Sequence, residues 1–230
     1  MTAPALAPLG TELLDDPAAD PVTVSRSLRN IARANRWFGG RAAAIWGVEQ
    51  LLRDTPATAP LTLLDLGTGA ADLPLAVIDH FTRRGRPVRA LALERSPVAA
   101  AIAAGRGIPT VIGCAGRLPV RPGAADVVLI SQVAHHLAAD AVVELFRAAS
   151  ELSRIGVVVA DLRRSELAVA AFRAGSALLR FDPVTRTDGI TSVRRGYHRQ
   201  ELRQLATRAG QDARVARRPG FRLVAVWRTS

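Results

Sequence analysis

The segment from Leu61 to Asp72, LTLLDLGTGAAD, places two glycines between two carboxylates, a spacing that suits the binding of a charged small molecule. Gly67 and Gly69 would let a ligand approach the backbone, because no Cβ stands in the way and a positive φ is tolerated. The dinucleotide-binding pattern has a third glycine where this sequence has Asp72, and a carboxylate there would repel a pyrophosphate. The segment therefore predicts a strand, turn and helix that bind a nucleotide-like ligand carrying positive charge.

Two adjacent histidines, His135 and His136, follow a later apolar run and are candidates for acid–base chemistry. Imidazole is the usual general base near neutral pH. Asp161 ends the next apolar run, so it would lie beside the histidines if the two runs are neighbouring parallel strands. It would then orient an imidazole or share its proton. One histidine of such a pair often caps or packs instead of reacting, and both interpretations stay open.

These side chains require a fold that gathers the ends of several strands. Apolar runs alternate with helical patterns, which favours an α/β class with a parallel sheet, and 230 residues suffice for one such domain and a small addition. The predicted strands cover 61–65, 88–94, 110–112, 126–131, 155–161, 213–216 and 223–227. The predicted helices cover 24–38, 41–53, 73–84, 96–104, 139–152 and 198–209.

Several motifs together resemble the class I S-adenosylmethionine (SAM) methyltransferases, of the small-molecule type related to the ubiquinone and menaquinone enzymes. They are D-x-G-x-G-x-x-D from Asp65 to Asp72, G-C-A-x-x-L-P from Gly113 to Pro119, DVVLIS from Asp126 to Ser131, and VAHHL from Val133 to Leu137. The resemblance covers about 61–161 and, in pattern only, the C-terminal quarter. It implies a Rossmann-like seven-stranded mostly parallel sheet with helices on both faces and an antiparallel last strand.

The resemblance also implies a set of residues that bind SAM, the methyl donor, and its product S-adenosylhomocysteine. Glu94 ends the second predicted strand, where a carboxylate can accept both ribose hydroxyls. Cys114 stands where the family has an aspartate for the adenine amino group, so adenine would rest on backbone groups around Ala115. The full expected set is Asp65, Gly67, Thr68, Gly69, Asp72, Leu73, Glu94, Arg95, Cys114, Ala115 and Ser131.

For catalysis, the resemblance favours His135 over His136 as the residue that faces the methyl acceptor, with Asp161 beside it. Arg36, Trp37 and Tyr197 are the expected acceptor-binding residues. Trp37 either forms an aromatic wall of the acceptor pocket or packs the N-terminal helices on the core.

The chain divides into a flexible N-terminal tail at 1–21, a helical lid segment at 22–56, and a SAM-binding methyltransferase domain at 57–230. Within that domain, about 162–197 form an insertion after the fifth strand. Both the helical segment and the insertion would lie over the carboxyl ends of the strands, where open α/β sheets bind ligands. We expect them to act as a lid.

Composition narrows the class of partner. The net charge of +11 comes from 31 basic residues that are all arginine and are scattered along the chain, so we expect solvated arginines and consider a nucleic-acid partner unlikely. Cys114 is the only cysteine, and no cysteine–histidine cluster has metal-ligand spacing, so we expect no metal. No membrane span or signal peptide is evident, so we expect a cytoplasmic protein. We also expect a monomer or a homodimer.

The sequence thus predicts a SAM-dependent methyltransferase acting on oxygen or carbon of a small aromatic, phenolic or quinone-like metabolite, an activity typical of secondary metabolism. An RNA methyltransferase is favoured only by charge, and Ser131-Gln-Val-Ala stands where base-methylating enzymes carry an N-P-P-Y motif. A nucleotide-dependent oxidoreductase is opposed by Asp72. A non-catalytic SAM-binding partner subunit stays open because of Cys114.

Overall fold

The computed structural model describes residues 12–16, 18–56, 58–114 and 120–229, which form one seven-stranded sheet. The strands are β1 (Leu61–Leu66), β2 (Val88–Glu94), β3 (Thr110–Ile112), β4 (Ala125–Ser131), β5 (Ser153–Leu162), β6 (Arg214–Arg218) and β7 (Arg222–Arg228). Their order is β3-β2-β1-β4-β5-β7-β6, and within this sheet only the pairings of β7 are antiparallel. The expected Rossmann-like, mostly parallel sheet is confirmed.

Helices cover both faces of the sheet and continue over the carboxyl ends of its parallel strands. They are α1 (Pro21–Trp37), α2 (Gly40–Leu51), α3 (Asp72–Thr82), α4 (Pro97–Gly105), α5 (Ala139–Leu152), α6 (Glu166–Leu178), α7 (Pro183–Arg195) and α8 (Arg199–Arg208). Short 3-10 turns occur at Leu13–Asp15 and Ala134–His136. None of the helices in the described part of the chain has the length and apolar character needed to cross a lipid bilayer.

The two faces of the sheet bury two separate apolar clusters. Leu64 and Ile130 pack on one face with α5 and α8, whereas Leu63 and Leu129 pack on the other face with α2 and α3. Successive side chains of a strand point to opposite faces, so both sets must be apolar. This arrangement explains why the central strands read as continuous apolar runs.

The α2 helix does not belong to a lid, although it falls in the predicted lid segment at 22–56. Val48 and Leu51 are 0% and 1% exposed and lie in the sheet-face cluster, where α2 contacts β5 and β7. A Cβ on Gly47 would lie 2.3 Å from Cγ1 of Val158, so the absence of a side chain lets the helix approach the sheet closely. Of this segment, only α1 reaches over the strand ends, where it contacts α3, α4 and α7.

The segment Glu12–Asp16 is also at odds with the predicted flexible tail at 1–21. Glu12 is 5% exposed, and its carboxylate accepts hydrogen bonds from Oγ of Ser192 at 2.7 Å and Nη1 of Arg195 at 3.1 Å. These contacts join the segment to α7, so acids that suggest a solvated tail instead serve as ion-pair partners. Residues 1–11 and 17 lie outside the described residues.

The insertion at 162–197 consists of α6 and α7, which pack against each other and close one side of the space above the sheet. Leu162, Val169 and Val193 form a small apolar cluster between them, with Phe172 and Phe221 packed against it. This cluster gives the insertion a core of its own, so both helices present a fixed surface to the strand ends.

Candidate active site

A cavity of about 340 Å³ lies at the carboxyl ends of β1, β4 and β5, beneath α1, α6 and α7. One end is lined by the turn after β1, including Gly67, Thr68 and Gly69. The other end reaches His135 and the aromatic residues of the insertion. The sheet topology therefore brings the glycine turn and the histidine pair to the same cavity.

The glycine turn forms the wall at the first end of the cavity. Gly67 and Gly69 have φ of +77° and +55°, in the left-handed region that favours glycine. The backbone N–H of Gly69 donates to Oε2 of Glu94 at 2.8 Å, and that of Ser96 donates to Oε1 at 2.9 Å. Glu94 does not line the cavity, but it braces the turn through both carboxylate oxygens, and each oxygen keeps a second lone pair.

Buried polar atoms around the turn have no hydrogen-bond partner among the described residues. They include Oδ1 of Asp65, Oγ1 of Thr68 and Oδ2 of Asp72. Burial, with the charges of Asp72 and Glu94 nearby, raises the pKa of Asp65 to about 7. Unpaired buried polar groups are costly in a folded protein, so this end of the cavity is suited to a polar, cationic ligand.

Asp72 belongs to a side-chain network that sequence reasoning missed. Nδ2 of Asn35 donates to Oδ1 of Asp72 at 3.4 Å, and Nε2 of Gln132 donates to Oδ1 of Asn35 at 2.7 Å. Nε of Arg41 lies 3.8 Å from the other carboxylate oxygen, while burial raises the pKa of Asp72. Gln132 has φ of +56°, a strained conformation for a residue with a side chain, and no local pattern reveals it.

His135 lies at the floor of the cavity, and Asp161, which does not line the cavity, is buried next to it. Nδ1 of His135 is 2.6 Å from Oδ1 of Asp161, and the two residues are 6% and 0% exposed. Burial opposes the ionisation of Asp161, but the charge and hydrogen bond of His135 and the N–H of Leu162 outweigh it and lower the pKa of Asp161. An ionised carboxylate only accepts hydrogen bonds, so Nδ1 carries the proton of this contact, and in the neutral imidazole Nε2 has the lone pair. That Nε2 is buried and has no partner among the described residues.

His136 faces the N-terminal segment. Its Nδ1 lies 3.0 Å from Oδ1 of Asp15, and its Nε2 lies 3.9 Å from Oε2 of Glu12. Burial works to lower the pKa of His136, but the contact with the Asp15 carboxylate and the charges of Glu12, Asp15 and Asp161 outweigh it and raise the pKa. The two imidazole rings are in contact, with centroids 4.3 Å apart.

Aromatic rings line the end of the cavity beneath the insertion. Phe38, Phe172 and Phe181 form a chain of edge-to-face contacts, with centroids 5.9 Å and then 6.4 Å apart. Trp37 also lines the cavity but is 63% exposed, which places it at the rim. Of these aromatic residues, the sequence analysis named Trp37 but not Phe172 or Phe181. No sequence pattern shows which side chains of the insertion face the cavity.

Two expected acceptor-binding residues lie elsewhere. The exposed Arg36 stacks its guanidinium 5.5 Å from the centroid of the Trp37 ring and does not line the cavity. Tyr197 is 4% exposed and packs in the core with α5 and α8, so it does not line the cavity either. Its backbone N–H donates to the carbonyl of Leu162 at 2.9 Å, a purely structural contact.

The remaining expected cofactor residues divide into two groups. Leu73 and Ser131 line the cavity, and Oγ of Ser131 donates to the carbonyl of Ala160 at 3.2 Å. Arg95 and Cys114 do not line it: Nη2 of Arg95 donates to the carbonyl of Asp15 at 3.4 Å, and Cys114 is exposed. Ala115 lies outside the described residues.

No protein-family model matches this sequence, and no curated protein matches it in sequence. Solved structures match it in fold. An O-methyltransferase family protein from Burkholderia thailandensis has 14% identity and a TM-score of 0.66, over 95% of this chain and 63% of that one. A SAM-dependent methyltransferase from Aquifex aeolicus has 12% identity and a TM-score of 0.61, over 92% and 99% of the two chains. Magnesium protoporphyrin IX methyltransferase from Synechocystis PCC 6803, solved with bound S-adenosylhomocysteine, has 14% identity and a TM-score of 0.57, over 84% of each chain. This chain thus has the fold of SAM-dependent methyltransferases.

Proposed function

We propose that this protein is a SAM-dependent methyltransferase that acts on oxygen or carbon of a small aromatic, phenolic or quinone-like molecule. One observation carries the proposal: a single cavity joins a glycine turn with unpaired buried carboxylate atoms to the His135–Asp161 pair and a set of aromatic rings. The fold shared with SAM-dependent methyltransferases supports the cofactor. The finer relation to the ubiquinone and menaquinone enzymes is part of the proposal.

The residues around the glycine turn fit SAM. Asp65 and Asp72 offer buried carboxylates to a ligand that carries an amine and a sulfonium, and Gly69 leaves room for it at the backbone. SAM supplies an electrophilic methyl group there. Methyl transfer is an in-line displacement, so the chain mainly has to align the acceptor and exclude water. The helices over the strand ends enclose the cavity and serve that purpose.

The lining of the cavity supports a small uncharged or cationic acceptor and not a nucleic acid. Four acidic residues, Glu12, Asp65, Asp72 and Asp188, line it against one arginine, Arg222, so the lining disfavours a phosphate backbone despite the net charge of +11. The edge-to-face rings of Phe38, Phe172 and Phe181 suit a flat aromatic body. We infer that the arginines of the surface have no part in acceptor binding.

His135 is the residue we propose to take the acceptor's proton. Asp161 holds its Nδ1, so Nε2 is the free base and lies at the floor of the cavity. A hydroxyl placed against Nε2 would pass its proton there as its oxygen attacks the methyl group.

Two measurements test this function. Calorimetry with SAM and NAD should show binding of SAM alone, since Asp72 opposes a pyrophosphate at the turn. Incubation with labelled SAM and a panel of phenols, quinones and amines should then give labelled product from phenols or quinones. Preferential binding of NAD would overturn the proposal, whereas SAM binding with no product from any acceptor would favour the non-catalytic partner subunit.

Glu94→Ala is expected to weaken SAM binding by about 1.5 to 3 kcal/mol, the usual worth of hydrogen bonds to a charged group. The substitution removes the acceptor for the ribose hydroxyls and also frees the N–H groups of Gly69 and Ser96. Glu94→Gln should lose less, because its amide oxygen still accepts one of these bonds. Calorimetry checks that SAM affinity decreases from the parent to Glu94→Gln to Glu94→Ala. Equal SAM affinity in all three proteins would mean that Glu94 supports the turn without binding the cofactor.

Trp37→Ala is expected to raise the acceptor KM while leaving SAM affinity and the unfolding temperature near those of the parent. Trp37 is 63% exposed at the cavity rim, so its removal costs little buried contact. Phe38→Ala is the matched comparison, because Phe38 touches Phe172 inside the cavity and should lower stability as well. A large loss of stability in Trp37→Ala would show that the residue packs the helices instead.

A further inference from the structure

General-base chemistry gives a role to His135 but none to His136 or to the carboxylates beside it. Nδ1 of His135 is held by Asp161 at 2.6 Å, and Nδ1 of His136 lies 3.0 Å from Asp15. A hydrogen bond to Asp161 therefore orients the ring of His135, whereas Asp15 lies at ion-pair distance from the ring of His136, and both Nε2 atoms are left for another partner. One potential ligand atom from each of Glu12, His135 and His136 lies within 4.8 Å of the other two.

We propose that Glu12, His135 and His136 bind a divalent transition-metal ion, through one carboxylate oxygen and the two Nε2 atoms. Two imidazoles and one carboxylate are a common ligand set for zinc and for non-haem iron. Histidines that bind metals almost always donate their other ring N–H to a carboxylate or carbonyl, as Nδ1 of His135 does to Asp161, and Asp15 lies 3.0 Å from Nδ1 of His136. The expectation of no metal, drawn from spacing along the sequence, did not consider Glu12, because it belonged to the predicted tail.

The positions of the three ligand atoms are close to those that such an ion needs. Ligand atoms about 2.1 Å from one ion lie roughly 3 to 4 Å apart. Nε2 of His136 is 3.9 Å from Oε2 of Glu12, and each of the three residues has a potential ligand atom within 4.8 Å of one in each of the other two, so an inward movement of the side chains would complete the site. The Nε2 of His135 is a buried nitrogen with no hydrogen-bond partner among the described residues.

Glu12 is held in place for this role by α7. Oγ of Ser192 donates to its Oε2 at 2.7 Å, and Nη1 of Arg195 donates to its Oε1 at 3.1 Å. Each carboxylate oxygen has two lone pairs, so Oε2 can accept from Ser192 and still bind an ion. The guanidinium of Arg195 lies toward Oε1 and also pairs with Asp15 at 3.2 Å, on the oxygen that does not face His136.

Charge balance around the pair favours a cation. The carboxylates of Glu12, Asp15 and Asp161 face the two imidazoles, and Arg195 supplies one positive charge against them. With both imidazoles neutral, these groups sum to −2, which one divalent ion would neutralise. Asp188 also lines the cavity nearby and adds a further carboxylate to this region.

The role of the ion, unlike its binding, rests on the proposed function. Three protein ligands leave positions open toward the cavity, where the hydroxyl oxygen of an acceptor could bind. On such an ion the O–H bond breaks more easily, its electron pair stays on the oxygen and the proton leaves to water. The ion would then replace His135 as the agent of deprotonation, because it occupies the lone pair of Nε2.

The chain offers a direct test, because it contains only four histidines. The protein is stripped with a chelator, dialysed free of it, labelled with ¹⁵N and titrated with Zn²⁺ without SAM or acceptor. We expect one ion per chain, with the imidazole signals of His135 and His136 shifting together. The signals of His80 and His198 should not move. Absence of saturable binding, or shifts of His80 or His198 in place of the pair, would overturn the site.

Variants outside the histidines give the second readout. Glu12→Gln should weaken Zn²⁺ binding by more than about tenfold, and Asp15→Asn by about 10- to 100-fold, the usual cost of losing a carboxylate that orients a metal-bound histidine. Glu49→Gln is the matched control, because Glu49 pairs with His80 at 2.7 Å on the surface and should leave affinity unchanged. Thermal unfolding confirms that each variant is folded. Parent affinity in a folded Glu12→Gln would exclude Glu12 as a ligand and overturn the proposal.

The activity assay separates this inference from the proposed function. A higher rate of methyl transfer with one equivalent of Zn²⁺ than after chelation supports the role of the ion. A lower rate would show that ion and proton compete for Nε2 of His135, which overturns the role and leaves the site standing. Zn²⁺ binding without any SAM binding would overturn the proposed function alone.

Discussion

Replacing His135 with alanine is expected to lower the rate of methyl transfer to a hydroxyl by about two to four orders of magnitude, the usual contribution of a general base. His135 lines the cavity, and its Nε2 is a buried nitrogen with no hydrogen-bond partner among the described residues. SAM affinity should stay near that of the parent, because the glycine turn and its carboxylates are untouched. The measurement is the single-turnover rate with saturating SAM, on protein freed of metal so that the imidazole itself is tested.

Asp161→Asn tests whether the carboxylate works through His135. The variant keeps the shape of Asp161 but can hold Nδ1 in the wrong tautomer, so we expect a loss of rate similar to that of His135→Ala. Asp161 is fully buried and also accepts a hydrogen bond from the N–H of Leu162 at 2.7 Å, so the unfolding temperature of the variant must be measured together with its rate. His80→Ala, a surface histidine paired with Glu49, is the control and should keep the parent rate.

The dependence on pH separates a base from a structural histidine. If His135 removes the proton, activity of His135→Ala should recover as the pH approaches the pKa of the acceptor hydroxyl itself, because the acceptor then ionises without help. Parent activity of His135→Ala at pH 7 would contradict the general base for that acceptor. The same result with several acceptors of high pKa would assign His135 a purely structural role.

Two kinds of feature were predictable from the sequence: single elements with a local pattern, and contacts between neighbouring parallel strands. β2 and α5 occur at their predicted bounds, because strand and helix periodicity are local signals. The contact of His135 with Asp161 was also predictable, because His135 follows β4, Asp161 lies at the carboxyl end of β5, and these parallel strands pair directly, with Ser131 opposite Ala160. Residues at the carboxyl ends of adjacent parallel strands are brought together by topology, whatever the details of packing.

Features that depend on long-range packing were not predictable. Glu12 meets Ser192 and Arg195 about 180 residues further along the chain, and no periodicity links such distant segments. The apolar face of α2 does not distinguish a helix of a lid from a helix that covers the sheet, because both bury one apolar face. Its small residues, Ala43, Ala44 and Gly47, are the signal that could have shown close packing on the sheet.

Gly69→Val is expected to abolish SAM binding while the protein stays folded. A Cβ at Gly69 would lie 3.4 Å from Cδ2 of Leu28, an ordinary contact, so the protein itself has room and the side chain would stand at the cavity wall. Gly67 is a poorer test, because a Cβ there would lie 2.4 Å from Cγ2 of Val133 and would disturb the turn. The change is measured by calorimetry with SAM, beside thermal unfolding.

Gly85→Val separates the loss of space from the strain of the backbone. Gly85 has φ of +80°, and a Cβ there would meet nothing within 4 Å, so the variant carries the same kind of strain far from the cavity. A side chain at such a φ costs of the order of 1 to 3 kcal/mol, and both variants should lose stability by similar amounts. Only Gly69→Val should lose SAM. Because the strain is shared, any difference in SAM affinity between the two folded variants measures the space that the ligand needs at Gly69. Equal affinity would mean that the ligand does not approach this turn, and the assignment of the cofactor subsite would be wrong.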